Sequence, residues 1–384
     1  MATRWIFLIA LGYYVMINLQ WYHYKIMRVL FRHHKQKWHL FYFVFPVIYF
    51  ILIPNNLYCY IGLYLYVVLL GVWIFYLSKR LVLTSRILRF FGLYIAFILF
   101  NELLLLKVAE YSILIQIVYL FPLFISIALS SLIERILLNR YKKLALDKLE
   151  SMPNLTIIAV TGSYGKTSLK NFLFQMLQEG FKVYATPRSV NTLTGIIADI
   201  NQNLSPLTDI YIVEAGARGA GDIKEIVDLL SPQIAVVGKI GEAHIEYFKS
   251  IENIYSAKYE ILESKELSRA YIYEGNIQPS HCPVRIVNFP KNASEIVATL
   301  EGTSFVLKID GKKLEFKTRI LGAFNVINIS AAIAVAKDLG VSEEHLIKRV
   351  QKLEPINHRL SKITVNEKII LDDSYNGNLD GMLE

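Results

Sequence analysis

Thr156-Ile157-Ile158-Ala159-Val160, running into Thr161-Gly162-Ser163-Tyr164-Gly165-Lys166-Thr167-Ser168, decides the fold of this chain. The first five residues are a short, β-branched apolar run and predict a buried parallel strand. From Lys166 to Glu179 the apolar residues Leu169, Phe172, Leu173, Met176 and Leu177 recur at helical spacing. A glycine loop between a strand and a helix N-terminus gathers backbone amides and the helix dipole around phosphate oxygens. Lys166 then reaches the terminal phosphates of ATP and Thr167 offers a hydroxyl to Mg2+, with Gly162, Ser163, Tyr164, Gly165 and Ser168 completing the nucleotide loop. The general phosphate-loop spacing places a glycine at position 160, where Val160 stands. The shorter Gly-x-x-Gly-Lys-Thr form is present.

Downstream, Tyr211 to Val213 reads as a second buried strand, which delivers Glu214 to the C-terminal edge of a doubly wound sheet, where such folds bind ligands. Glu214 is therefore a candidate ligand for a hard cation. His244 follows the apolar run Ile234 to Val237 and reaches the same rim, either as a second ligand or as an ordinary loop histidine, since magnesium prefers oxygen donors. Lys258 begins a helix-like run and, by itself, reads as a solvated lysine. Ser304 to Lys308 and Lys313 to Lys317 alternate about Asp310-Gly311, a hairpin signal.

Upstream the chain changes class. Of the 384 residues 54% are hydrophobic, and the excess lies almost wholly in the first third, in runs at about Trp5 to Tyr22, Leu40 to Ile53, Leu57 to Leu77, Phe90 to Leu106 and Tyr111 to Ile133. A bilayer crossing takes about 20 helical residues. The third and fifth runs are long enough; the second either borrows Trp38, His39 and Pro54 or is re-entrant. Lys25, Arg28, Arg32, Lys35 and Lys37 follow the first run, but only Pro54-Asn55-Asn56 the second. Lys79, Arg80, Arg86 and Arg89 follow the third, Lys107 near Glu110 the fourth, and Arg135, Arg140, Lys142, Lys143 and Lys148 the fifth. That alternation predicts an N-terminus outside and a cytoplasmic soluble domain, in a multi-pass protein of the inner, cytoplasmic membrane. The first run has neither a charged leader nor a small-residue cleavage site, against a signal peptide. Tyr13, Tyr14, Trp21, Tyr22 and Tyr24 read as interfacial and packing aromatics, and Glu102 as lying near the end of its span. Glu134 to Glu150 reads as a basic amphipathic linker helix, with Ile136, Leu137, Leu144 and Leu149 on its apolar side and Arg135, Arg140, Lys142 and Lys143 toward anionic lipid. The net charge of +9 is thereby explained by the bilayer, so no nucleic-acid partner is expected. Two cysteines, Cys59 and Cys282, are too few for a disulfide scaffold or a cysteine zinc site.

The loop 161–168 also resembles that of the ATP-dependent Mur ligases of peptidoglycan precursor synthesis, which reads Thr-Gly-x-x-Gly-Lys-Thr-Ser. Further segments are similar to family signatures in the same order: Thr186-Pro187-Arg188-Ser189-Val190-Asn191-Thr192-Leu193-Thr194-Gly195, Glu214-Ala215-Gly216-Ala217-Arg218, Gly241-Glu242-Ala243-His244-Ile245-Glu246, Ser256-Ala257-Lys258-Tyr259-Glu260 and Gly322-Ala323-Phe324-Asn325-Val326-Ile327-Asn328. The resemblance implies that Asn191 and Thr192 bind the acid substrate. It implies that Thr167, Glu214, His244 and a carbamylated Lys258 serve the magnesium, and that Lys166, Lys258 and His244 are catalytic. Asn325 and Asn328 would read the adenine, Arg359 the ATP phosphates and Asp373 the ribose. Phe324 stands where the family has histidine. Leu371-Asp372-Asp373-Ser374-Tyr375-Asn376-Gly377-Asn378 is most like the branch that adds D-alanyl-D-alanine to UDP-MurNAc-tripeptide, with departures at Leu379 and Gly381.

The expected architecture is an α/β Mur ligase central domain, mostly parallel sheet with a small antiparallel element, behind an all-α transmembrane bundle. Residues 1–150 would be about five membrane helices and the linker, 151–359 the ATP-binding domain, and 360–384 the start of a C-terminal ligase domain cut short. Expected partners are the two ligase substrates, the lipid bilayer and membrane proteins of wall synthesis. The alternatives are a non-catalytic ATP-binding membrane scaffold and another membrane-tethered ligase such as a poly-γ-glutamate synthase.

Overall fold

Thr156–Thr161 forms the first strand, β1, and every residue after Thr156 is buried, as a strand covered on both faces requires. It lies at the centre of a parallel sheet with Val183–Ala185 (β2), Ile210–Glu214 (β3), Ile234–Val237 (β4), Arg269–Tyr273 (β5) and Ile286–Phe289 (β6), in the order β2-β3-β1-β4-β5-β6. The chain leaves β1 toward β2 and β3 on one side, then crosses to β4 on the other. That reversal opens the crevice at the C-terminal edge of β1 where doubly wound folds bind ligands.

The helix Lys166–Leu177 supplies Leu169, Phe172, Leu173, Met176 and Leu177 to the core, against Ile158, Val160, Ile212 and Val236 of the sheet. Truncating Phe172 to alanine there costs about 3–5 kcal/mol. A second, antiparallel sheet consists of Ser294–Thr299 (β7), Gly302–Ile309 (β8) and Lys312–Thr318 (β9), and Phe305 and Phe316 join the same core. The β8–β9 turn falls at Asp310 and Gly311, both at positive φ, the conformation a tight hairpin needs. Ser361–Val365 (β10) and Lys368–Asp372 (β11) pair as a separate hairpin.

This computed structural model describes all residues except 1, 23, 32, 34, 53–56, 78, 79, 106–111, 244, 291, 366, 367 and 375–384, and for Leu57 and Cys59 the backbone alone. Pro54-Asn55-Asn56, Lys79, Lys107, Glu110, His244 and Tyr375-Asn376-Gly377-Asn378 therefore lie outside the described residues. The chain divides into two units, Met1–Asn139 and Arg140–Glu384.

Among the described residues Ala2–Trp21 and Ser85–Leu105 of the first unit, and Ile113–Glu150, which is taken through a bend and ends in the second, are long and apolar enough to cross a membrane; Lys37–Leu52 and Tyr60–Tyr76 are shorter apolar helices. Prolines shape two of these. Pro122 has no N–H for the Val118 carbonyl, so the fifth run breaks into Ile113–Val118 and Phe121–Glu150, and Val118 O instead accepts from Asn101 Nδ2 at 3.2 Å. Pro46 likewise leaves the Tyr42 carbonyl free after a π-helical turn over Leu40–Val44, and the Tyr66 hydroxyl donates to it at 3.1 Å. Glu102 sits near the end of Ser85–Leu105, as its sequence position predicts. It is paired with Arg4 at 3.3 Å and accepts from Trp5 Nε1 and the Tyr119 hydroxyl. The linker reading is corrected: Glu134 to Glu150 is no separate amphipathic helix but the continuation of Phe121–Glu150. Within the second unit Lys148 Nζ donates to the Ile200 carbonyl at 2.8 Å.

Candidate functional site

Gly165 caps the helix Lys166–Leu177 at φ 69°, in the left-handed region that favours glycine. A Cβ there would lie 2.8 Å from Asn328 Nδ2, so the asparagine closes directly on the loop. On the other side the loop is seated on the turn after β4. Ser163 N donates to the Lys239 carbonyl at 2.8 Å and Ser163 Oγ to the Gly241 carbonyl at 2.9 Å. That turn is shaped by Asn276, which donates to Gly238 O at 2.9 Å and accepts from Ile240 N at 3.0 Å. The Tyr164 ring lies so close to Gly241 that a Cβ there would meet its Cε2 at 2.8 Å.

Glu214, the last residue of β3, is 1% exposed and is the point on which three segments converge. Its Oε2 accepts from Thr167 Oγ1 at 2.8 Å and its Oε1 from Asn191 Nδ2 at 3.0 Å. Lys170 Nζ, also buried, stands 3.9 Å from Oε2. The sequence-predicted cation ligand, phosphate-loop hydroxyl and substrate-loop asparagine are thus brought together. Thr192 caps the helix Leu193–Asn203 through Gly195 N, and that helix is tied down by Asp199, which accepts from the Tyr184 and Tyr211 hydroxyls at 2.6 and 2.9 Å.

The cations around Glu214 are held in a poorly solvated place. Burial pulls the Lys166 ammonium below its ordinary range, with Glu214 opposing and Arg359 adding to the effect. Lys166 Nζ meanwhile donates to Ser163 O at 3.2 Å, inside its own loop. Burial brings Lys258 down to about 7; Lys166 pushes the same way, while Glu214, Asp222 and Glu260 oppose it. Lys258 is therefore no surface lysine, and its helical position is corrected too. Ser250 caps Ile251–Tyr259 through Asn253 N, so Lys258 ends that helix instead of beginning it.

Asn325 and Asn328 lie on the first turn of Asn325–Asp338, facing the phosphate loop. Asn325 Nδ2 is committed to the Leu321 carbonyl at 2.8 Å, and its Oδ1 receives Asn328 Nδ2 at 3.5 Å. Phe324 packs on Gly322, which is at φ 86°. Arg359 precedes β10, and Asp373 follows β11 and accepts from Leu360 N at 3.2 Å. Among the described residues no group of three or more His, Cys, Asp or Glu side chains forms a metal cluster. The donors that fit magnesium are Thr167 Oγ1 and the Glu214 carboxylate, hard oxygens 2.8 Å apart. Reading by motif missed Lys170, Asn276 and Glu260, the last capping the helix Asp222–Leu230 through Gly221 N and Lys224 N. For Lys170 the signal was available: it stands four residues after Lys166 and three after Thr167, on their face of the helix.

Residues 160–336 match the family described as Mur ligase middle domain. The chain is 29% identical over 235 residues to UDP-N-acetylmuramoyl-tripeptide–D-alanyl-D-alanine ligase of Bacillus subtilis, covering 59% of this chain and 51% of that protein. It is 33% identical over 177 residues to the enzyme of the same name from Rickettsia prowazekii, covering 46% and 38%. Among solved structures, MurF from Acinetobacter baumannii superposes with a TM-score of 0.57 at 26% identity, over 63% of this chain and 56% of that one. MurF from Thermotoga maritima in complex with ADP superposes with a TM-score of 0.58 at 24% identity, over 64% and 59%, and shows the shared fold. The chain spans about half the length of the Bacillus subtilis relative.

Proposed function

From a chain whose residues 160–336 are a Mur ligase middle domain, we propose the nucleotide-binding centre of an ATP-dependent amide ligase that joins D-alanyl-D-alanine to UDP-MurNAc-tripeptide. The observation that carries this reading is Glu214. One buried carboxylate receives the phosphate-loop Thr167 on one oxygen and Asn191 of the substrate-loop segment on the other. A nucleotide on the loop and an acid held by Asn191 would then meet at a single point. The names of the relatives supply the substrates, and the Asp372-Asp373-Ser374 run supports the same branch.

In this reading an oxygen of the tripeptide's terminal carboxylate attacks the γ-phosphorus of ATP and ADP leaves. The dipeptide amine then attacks the acyl carbon, losing a proton, and inorganic phosphate departs. Lys166 offsets the charge that gathers on the transferring phosphoryl group, and the loop amides hold the other phosphates. Thr167 and Glu214 would hold Mg2+, which supplies charge neutralisation between the phosphates. Lys258, poised near neutrality by burial, holds a reactive uncharged amine at about pH 7, the form that can take up carbon dioxide as a carbamate. His244, Arg359 and Asp373 keep the roles that the family resemblance assigns them.

The apolar helices of the first unit would anchor the protein in the cytoplasmic membrane, with the ligase unit on the side where the basic residues Arg135, Arg140, Lys142 and Lys143 lie. The test is phosphate release from ATP by the detergent-solubilised protein, with the two substrates added singly and together. Release that needs both, and that disappears in Lys166→Ala with membrane insertion intact, is the expected result. ATP binding without release under any of these conditions would favour the scaffold reading instead.

A further inference from the structure

Beyond its first turn Lys166–Leu177 buries Phe172, Leu173, Met176 and Leu177, yet among them it also buries Lys170, at 1% exposure. A buried ammonium is costly unless each of its donors is used. Here all three have a direction: two go to the main-chain carbonyls of Thr186 and Arg188, and the third faces Glu214 Oε2 at 3.9 Å.

Those two carbonyls lie in the segment between β2 and the helix Leu193–Asn203, where Thr186 Oγ1 also accepts from Glu214 N at 3.3 Å. Thr186 N bonds to Ile212 O and Val190 N to Pro187 O, and Arg188 is held at φ 48°, a conformation that a residue with a Cβ adopts only under constraint. The segment ends at Asn191, whose side chain donates to Glu214 Oε1 and whose carbonyl receives Gly216 N at 2.9 Å. Lys170, the loop, Asn191 and Glu214 therefore form a closed ring of contacts, and Lys170 is the member that joins the nucleotide helix to the loop backbone.

We propose that Lys170 is a positioning residue: it fixes Thr186–Asn191 so that Asn191 and Thr192 are presented to the acid substrate, and occupation of that subsite, but not of the nucleotide subsite, depends on it. This rests on the reading of the loop as the acid-substrate site given above. An apolar side chain of similar length would fill the same space and serve the core equally well; it would not hold two carbonyls.

The experiment uses the full chain in detergent and the variants Lys170→Met and Lys170→Arg. Hydrogen–deuterium exchange over residues 186–192 is expected to be roughly tenfold faster or more in Lys170→Met, with protection in β1, β3 and β4 unchanged, and to return toward wild type in Lys170→Arg. With both ligase substrates present, KM for UDP-MurNAc-tripeptide is expected to rise about tenfold while KM for ATP stays within about twofold. Unchanged exchange in the loop overturns the proposal. So does a loss of protection spread evenly over the unit, which would make Lys170 a general prop, and so does an equal rise in both KM values. If the wild-type protein shows no turnover, it is the ligase reading that fails, and the exchange comparison still decides whether Lys170 orders the loop.

Discussion

Replacing Glu214 by glutamine keeps the size of the side chain and removes its charge. In the native site the carboxylate accepts from Thr167 at 2.8 Å and from Asn191 at 3.0 Å, and it faces Lys170 at 3.9 Å with 1% exposure. Glutamine has one acceptor oxygen, so either Thr167 or Asn191 meets an amide NH2, and Asn191 Nδ2 cannot accept from it. Each charge-assisted hydrogen bond lost is worth about 1.5–3 kcal/mol. A buried charge left without its partner costs about 3–5 kcal/mol, but Lys170 keeps its two carbonyls, which places the sum near the lower end, about 3 kcal/mol. For a domain of this size about 1 kcal/mol moves Tm by about 2–4 °C, so Glu214→Gln is expected to melt about 6–12 °C below wild type in far-UV circular dichroism of the detergent-solubilised chain. Thr167→Val removes one of those charge-assisted bonds and is expected to cost about 1.5 kcal/mol, half of that. The pair share one hydrogen bond, so the double variant should lose less than the sum. A Glu214→Gln protein that melts within about 2 °C of wild type would show that the carboxylate is not the electrostatic centre of the site.

Lys258 gives a pH prediction. Its pKa in the folded chain is lowered to about 7 from the ordinary lysine value, so above pH 7 the unfolded state binds more protons and stability rises with pH until the unfolded lysine also titrates. Lys258→Met, in bicarbonate-free buffer, should therefore be more stable than wild type at pH 6, with the advantage shrinking as pH climbs from 7 toward 10; a constant difference in Tm across that range would contradict it. Gly165→Ala puts a Cβ 2.8 Å from Asn328 Nδ2 at φ 69°. It should weaken ATP binding by roughly tenfold or more through about 1–2 kcal/mol of backbone strain plus displacement of the asparagine, read by equilibrium dialysis. In the first unit, Glu102→Ala leaves Arg4 and Trp5 without their shared acceptor; lower yields of folded protein in detergent, partly restored by Arg4→Met with Glu102→Ala, are expected, and no restoration would argue against the pair.

The features legible in the sequence are those with a short-range period. β1, its loop and the following helix, the burial of β3 up to Glu214, β4 over Ile234–Val237 and the Asp310-Gly311 hairpin all follow from hydrophobic spacing and turn chemistry. What escaped depends on partners far along the chain. Lys170 finds the carbonyls of residues 16 and 18 positions away, and Arg4 finds Glu102 98 positions away. Lys258 reads in the sequence as the start of a helix-like run, whereas the start is set by the Ser250 cap eight residues earlier. The fifth apolar run reads as one span by composition, but Pro122 breaks it, and only the fold shows Asn101 taking the freed carbonyl.

On the proposed reading this site makes an acyl phosphate from a substrate carboxylate and ATP. The most direct measurement supplies UDP-MurNAc-tripeptide with its terminal carboxylate labelled with oxygen-18, together with ATP, magnesium and D-alanyl-D-alanine, and follows both products by mass spectrometry. UDP-MurNAc-pentapeptide is expected in step with inorganic phosphate that carries one labelled oxygen from the carboxylate. Unlabelled phosphate, or phosphate released without pentapeptide, would contradict it.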